Sequence, residues 1–273
     1  MNIYIQTDIE GVAGVTFFEN RKDASIENHA HRERMRKLLT NEVNAAVKAA
    51  FACGATTVLV NDNHGSGYNI IFEELDPKCE IIHGRNFSGP HWLPELDESF
   101  DALLLVGMHA MGGTENSCLP HSRWEVNGGE IYLSEASMAA AIAGDMGIPT
   151  VFISGDNKIT EEVKSKIPEI ETAVVKKALS VYQARSHTPS TACEMIYSGA
   201  KHGIGRRKII KPYIIPGPVK LNLLDSADHS PPLEKMLTED VTAETINDAF
   251  LKFENQMPWT KFPVTLPDGF KYP

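Results

Sequence analysis

The chain has 273 residues, 42% of them apolar and 23% charged, with a formal net charge of −10. That composition describes a globular protein large enough for one large domain or a domain with a smaller companion. An acidic chain without a basic stripe is a poor partner for a nucleic-acid backbone, and no run approaches the roughly 18 apolar residues of a membrane span.

The chain opens on MNIYIQTDIEGVAGV, which alternates apolar and polar residues with the period of a half-buried β-strand. Its polar face ends in Asp8 and Glu10, two residues apart and so on one face, before a turn containing Gly11 and Gly14. This start has no basic region followed by an apolar core, so no signal peptide is expected and a cytoplasmic location is. A helix is expected over Ile26–Ala52, where Met35, Leu38, Leu39, Val43, Ala46, Val47 and Ala50 keep the helical period and Gly54 stands at the C-terminal cap. TTVLVNDNH is apolar nearly throughout, the mark of a strand covered on both faces. CEIIHG, ALLLVGMHA, EIYLSE and IPTVFISGD read as further strands, and SEASMAAAIAGDMG as an Ala-rich helix stopping at Gly147.

Strand and helix alternating in this way predict an α/β fold with a mostly parallel central sheet flanked by helices. Beyond about Pro168 the texture changes. ETAVVKKALS and VKLNLLD read as strands, SHTPSTACEMIYSGAKHG and TAETINDAFLKFENQM as helices, the last capped by Thr242. The expected organisation is a metal-bearing domain over 1–175 and a smaller C-terminal α/β unit over 176–273.

Ligands of open α/β sheets bind beyond the carboxyl ends of the strands. At those ends stand Asp8 and Glu10, then Asn61, Asp62, Asn63 and His64, then His83, His109 and Glu135. Singly each has an ordinary explanation: Asp62 and its flanking asparagines form turns, and a carboxylate such as Glu135 is favoured at a helix start. Their recurrence on one rim is what a chance pattern does not provide. Imidazole and carboxylate without thiolate suit zinc or another first-row divalent ion. Five ligands, Asp8, Glu10, His64, His109 and Glu135, exceed what one zinc takes and predict a two-metal site bridged by Asp8. His83 is a candidate extra ligand. His29 and His31 point roughly 200° apart on their helix and belong to the surface. Cys53, Cys79, Cys118 and Cys193 stand apart, as reduced thiols do.

The loop GMHAMGGTENSCLPHS adds a proton-handling group, His121, twelve residues past His109 and able to fold back over the rim as base, acid or nucleophile. Cys118 is the rival nucleophile, without a supporting signature. GVAGV is not a dinucleotide fingerprint, and no phosphate-cradling loop occurs.

TDIEGVAGV, VNDNHG, GMHAMGGTENSCLPHS and SEASMAAAIAGDMGIPTVFISGDN, in that order, resemble the D-aminopeptidases of the dipeptide-transport operon (DppA type). The resemblance implies a binuclear zinc peptidase, with two Zn2+ per subunit, that releases N-terminal D-amino acids from short peptides. By motif its ligands fall on Asp8, Glu10, His64, His109 and Glu135, and its catalytic histidine on His121. It also implies a homodecameric ring with the sites facing an inner chamber. Ser134 stands where the family pattern has glycine. Two other readings stay open: a binuclear amidase or peptidase acting on another small amide or on L-peptides, and a non-catalytic metal-binding ring scaffold.

Overall fold

A computed structural model describes residues 1–257 apart from 21–22, 66, 85–91, 227–228 and 230. In chain order its elements are β1 (Asn2–Thr7), α1 (Ile26–Ala52), β2 (Thr57–Asp62), β3 (Glu80–Ile82), β4 (Ala102–Met108), β5 (Arg123–Val126) and β6 (Ile131–Leu133). Then follow α2 (Glu135–Asp145), β7 (Thr150–Asp156), α3 (Asn157–Lys166), β8 (Glu171–Ser180), β9 (Gln183–Ser186) and α4 (Pro189–Gly205). The chain ends in β10 (Val219–Asp225), β11 (Glu234–Lys235), β12 (Val241–Ala243) and α5 (Ile246–Glu254).

The main sheet has seven strands in the order β3-β2-β1-β4-β7-β8-β9. All neighbours are parallel except β8 and β9, which form an antiparallel edge hairpin. The expected α/β class with a mostly parallel sheet is therefore what the chain adopts. β4 (ALLLVGM) and β7 (TVFISGD) are buried along their whole lengths, which requires cover on both faces. α1 and α4 pack on each other and on the sheet, and α2 and α3 form a second packed pair. α1 matches its expected span, with Ser25 as N-cap and Gly54, at φ +84°, just past the C-cap.

β1 departs from the half-buried expectation. Being central, between β2 and β4, it buries both faces: Tyr4 and Gln6 are as enclosed as Ile3 and Ile5. The polar side chains are satisfied internally, Tyr4 Oη donating to the Pro94 carbonyl and Gln6 Oε1 accepting from Asn61. Periodicity reports polarity, and here the polar face is buried but bonded.

A second, five-stranded antiparallel sheet runs β11-β10-β5-β6, with β12 pairing β10. Its β5–β6 hairpin comes from the first half of the chain and its other strands from the end. The expected division between 175 and 176 falls inside β8, a strand of the main sheet. This second sheet is assembled from distant segments, with α5 packed on β10 and on α2. A boundary drawn along the chain has no means of registering that pairing. The final helix starts later than expected, at Ile246 with Thr245 as cap, because Thr242 is taken up by β12.

Candidate metal centre

Three adjacent strands of the main sheet deliver the first donors. β1 runs out into Asp8 and Glu10, β2 into His64, and β4 into His109. Glu135 arrives from the other sheet, since β6 leads directly into α2, whose first residue it is. The expected single rim thus becomes a seam between two sheets, with Glu135 closing it from the far side.

Close backbone crossings make the seam possible. The Asp8 N–H donates to the Val106 carbonyl at 2.9 Å and the Gly11 N–H to the Gly107 carbonyl at 2.8 Å. A Cβ on Gly11 would collide with the Met108 carbonyl, and one on Gly107, which sits at φ +76°, with the Asp8 carbonyl. Beneath them lies Lys176 of β8, fully buried, whose ammonium donates to the carbonyls of Glu10 and Val15, the latter at 2.6 Å. One buried cation therefore ties off both ends of the turn after β1.

The donor atoms converge. His64 Nδ1 lies 3.0 Å from Asp8 Oδ1 and 3.3 Å from Glu10 Oε2. His109 Nε2 lies 3.3 Å from Asp8 Oδ2 and 3.8 Å from Glu135 Oε1. The two oxygens of Asp8 thus face different histidines. Three overlapping sets have donor atoms within 4.8 Å of one another: Asp8–Glu10–His64, Asp8–His109–Glu135 and Glu10–His109–His121. His109 Nδ1 is bonded to the Ala110 carbonyl at 2.8 Å, an outer bond that presents Nε2 to the cluster, as in metal-ligating histidines.

The polar accounting tests whether cations fit. Asp8 Oδ2, Glu10 Oε2 and His109 Nε2 are buried with no hydrogen-bond partner, although buried polar groups are otherwise almost always paired. The charges agree. Burial and the neighbouring Glu10 push the Asp8 carboxyl up to about 6. Burial opposes ionisation of Glu10, but the imidazoles of His64, His121 and His109 outweigh it and hold that carboxyl well below its usual range. For His109 burial disfavours the charge, yet Asp8, Glu135 and Glu10 lift its pKa to about 10. Two buried carboxylates and the half-buried Glu135 around two imidazoles call for positive charge, and an all-N,O donor set is one that zinc accepts.

His121 sits beside this cluster. Its loop folds back as expected, forming a β-bridge between Met111 and His121 and a hydrogen bond from the Gly112 N–H to the Ser122 carbonyl. The His121 ring stacks on His109 with centroids 3.7 Å apart, and its Nε2 is 4.0 Å from Glu135. Leu119 and Ser122, on either side, hold left-handed φ values of 54° and 53°, a conformation that costs a non-glycine residue about 1–2 kcal/mol. The Leu119 N–H is anchored on the Val181 carbonyl at 2.9 Å, and the Leu119 carbonyl bonds His121 Nδ1 at 3.1 Å. Burial, with His109 alongside, lowers the His121 pKa to about 4, so the ring is neutral at pH 7 with a lone pair on Nε2.

The other candidates lie elsewhere. His83 is exposed and stacked on Phe72. Cys118 is buried under the loop, its N–H bonded to Asp156 and its thiol pKa raised by burial. Asp62 organises the turn after β2 by accepting the N–H groups of Asn69 and Ile70. His29 is exposed, and His31 faces Glu27 on the surface of α1. Ser134 has a structural reason: it caps α2 through Ser137 and donates to Glu162 of α3 at 2.8 Å, fixing the turn that carries Glu135.

The cluster floors a cavity of about 410 Å3, whose remaining walls include Phe18, Glu19, Asn63, Trp92 and His229. Sequence reading singled out none of these five except Asn63, as a turn former. Glu19 is held by Arg32 at 2.9 Å and lies 3.6 Å from His64 Nε2.

Comparison with known proteins bears on the family and the fold. The Peptidase_M55 family model, described as D-aminopeptidase, matches residues 1–246. A D-aminopeptidase of Bacillus subtilis (strain 168) is 28% identical over 227 residues, which cover 79% of this chain and 78% of that protein. A solved structure, the Zn-dependent D-aminopeptidase DppA from Bacillus subtilis, a self-compartmentalizing protease, matches with a TM-score of 0.78 at 23% identity. The match covers 94% of this chain and 99% of that one, and at such identity it speaks for the fold.

Proposed function

The chain belongs to the D-aminopeptidase family, and from that premise we propose that it is a binuclear zinc aminopeptidase releasing N-terminal D-amino acids from short peptides in the cytoplasm. The observation that carries the binuclear reading is Asp8. Its two oxygens serve two donor sets, Asp8–Glu10–His64 and Asp8–His109–Glu135, which share no other residue. Asp8, Glu10 and His64 would hold one ion, and Asp8, His109 and Glu135 the other. Zinc held there supplies Lewis-acid activation of the scissile carbonyl and of the attacking water.

The protein's own groups do the rest. His121 is the proton-handling residue. With Nδ1 engaged by the Leu119 carbonyl, Nε2 takes the proton from water and returns it to the departing amine. Stacking on His109 and an edge contact from Phe18, with centroids 5.4 Å apart, hold the ring in place. The third donor set, Glu10–His109–His121, favours a second reading in which His121 is itself a ligand. The metal content of His121→Ala separates the two.

Assembly into a homodecameric ring belongs to the same proposal, supported by the self-compartmentalizing description of the structural neighbour. The deciding experiment is hydrolysis of paired D-Ala and L-Ala dipeptides by zinc-loaded protein, with and without chelator. Chelator-sensitive cleavage of the D-series alone is the expected result. Cleavage of the L-series, or of neither with metal bound, overturns the reading.

A further inference from the structure

The cavity over the cluster has one wall that catalysis as described leaves unused. It comes from the second sheet: β10 ends at Asp225, and four residues on His229 turns back to line the cavity. His229 Nδ1 is 3.1 Å from Asp225 Oδ1, which fixes the ring and leaves Nε2 as the nitrogen open to a ligand. The ring centroid lies 5.0 Å from that of His121 and 5.4 Å from that of Phe18. The lining residues contain four acids, Asp8, Glu10, Glu19 and Glu135, and no lysine or arginine. His64 and His121 are committed to the chemistry. Among the described residues, His229 is the remaining wall side chain able to carry positive charge.

We propose that the His229–Asp225 pair is the subsite for the free C-terminal carboxylate of a dipeptide, and so sets the length of peptide this enzyme prefers. The inference rests on the D-aminopeptidase reading and deepens it. Successive Cα atoms are 3.8 Å apart. With the scissile carbonyl beside His121, a dipeptide's carboxylate lies one residue further on, within reach of a ring 5.0 Å away. A longer peptide puts an amide at that place and its carboxylate beyond it. An imidazolium oriented by a carboxylate is a suitable anion partner, since charge-assisted hydrogen bonds are the stronger ones. The hydrogen bond and charge of Asp225, against a smaller opposing effect of burial, raise the His229 pKa, which favours the charged form. A surface His–Asp pair with no role in binding would leave the preference among substrates untouched.

The test uses zinc-loaded full-length protein and three substrates: D-Ala-Gly, its C-terminal amide D-Ala-Gly-NH2, and D-Ala-Gly-Gly. The wild type is expected to favour the free dipeptide over its amide by tenfold or more in kcat/KM, mainly through KM. His229→Gln should reduce that acid-to-amide ratio at least tenfold, and Asp225→Asn should reduce it in the same direction by less. Residual hydrolysis of the amide shows that the variants are folded and metal-loaded. A ratio retained within twofold in His229→Gln, or a wild type that treats acid and amide alike, overturns the subsite. If the wild type cleaves none of the D-peptides with metal bound, the peptidase reading itself fails and the subsite with it.

Discussion

Glu42 on α1 offers a prediction that can be worked from the structure alone. Its carboxyl is buried beneath the turn after β1, with Oε1 accepting the Ala13 N–H at 2.9 Å and Oε2 unpartnered. Burial drives its pKa from 4.5 to about 7, against the opposing pull of the Ala13 N–H and Lys176. For an acid raised in the folded state the native protein binds the proton more tightly than the unfolded chain. Stability is therefore greatest near and below pH 4.5 and falls as pH rises toward 7. At about 1.4 kcal/mol per pH unit, the gap from 4.5 to about 7 amounts to about 3 kcal/mol at pH 8, and less than about 1 kcal/mol of that has been lost by pH 5. Glu42→Gln keeps the carbonyl for Ala13 but cannot ionise. Its stability relative to wild type should rise by about 2.5 kcal/mol between pH 5 and pH 8. Any constant cost of burying the amide N–H groups cancels in that slope. Urea unfolding followed by tryptophan fluorescence, with chelator present in both proteins, measures it. Parallel pH profiles for variant and wild type would refute the reasoning, because they would mean that Glu42 is not held protonated by its surroundings.

Three further outcomes are expected. His121→Ala should retain full metal content while turnover falls about 10²–10⁴-fold; elemental analysis with steady-state kinetics decides, and near-normal turnover or a lost ion would remove His121 from its role. Gly107→Ala forces a left-handed φ of +76° on a residue whose Cβ meets the Asp8 carbonyl. It should cost at least about 1–2 kcal/mol, visible as a Tm several degrees lower, together with weaker metal retention. Lys176→Met leaves the carbonyls of Glu10 and Val15 buried without a donor, each worth about 1–3 kcal/mol. Because that turn carries Glu10, metal affinity should drop about 10–100-fold in a competition assay with a chromophoric chelator. Unchanged affinity would make Lys176 a purely structural residue.

The five donors stood out in the sequence because strand ends are local signals, an apolar run and then a polar residue at its C-terminus, and His121 because its loop starts from one of them. The same locality made α1, β4 and β7 readable, since their burial patterns lie within single elements. Elements defined by partners were not readable in this way. β5 is a four-residue strand just past the loop GMHAMGGTENSCLPHS, and β9, β11 and β12 are strands of only two to four residues, held by pairing with β8 or β10 and too short to carry a period of their own. α3 (NKITEEVKSK) is mostly charged along its exposed face and buries only Ile159, Thr160 and Val163, too few to mark a helix by periodicity. Their illegibility concealed the second sheet, and with it the origin of Glu135 from across the seam and the presence of His229 in the cavity. Lys176 carries the same lesson. In ETAVVKKALS it is one of two adjacent lysines, and nothing local separates the buried one from its exposed neighbour Lys177. Residue chemistry and short-range periodicity were enough to nominate the donors. Which polar groups are buried, which face one another, and which stretch of a distant strand walls the cavity depend on contacts between residues far apart in the chain, and only the folded arrangement of the two sheets contains them.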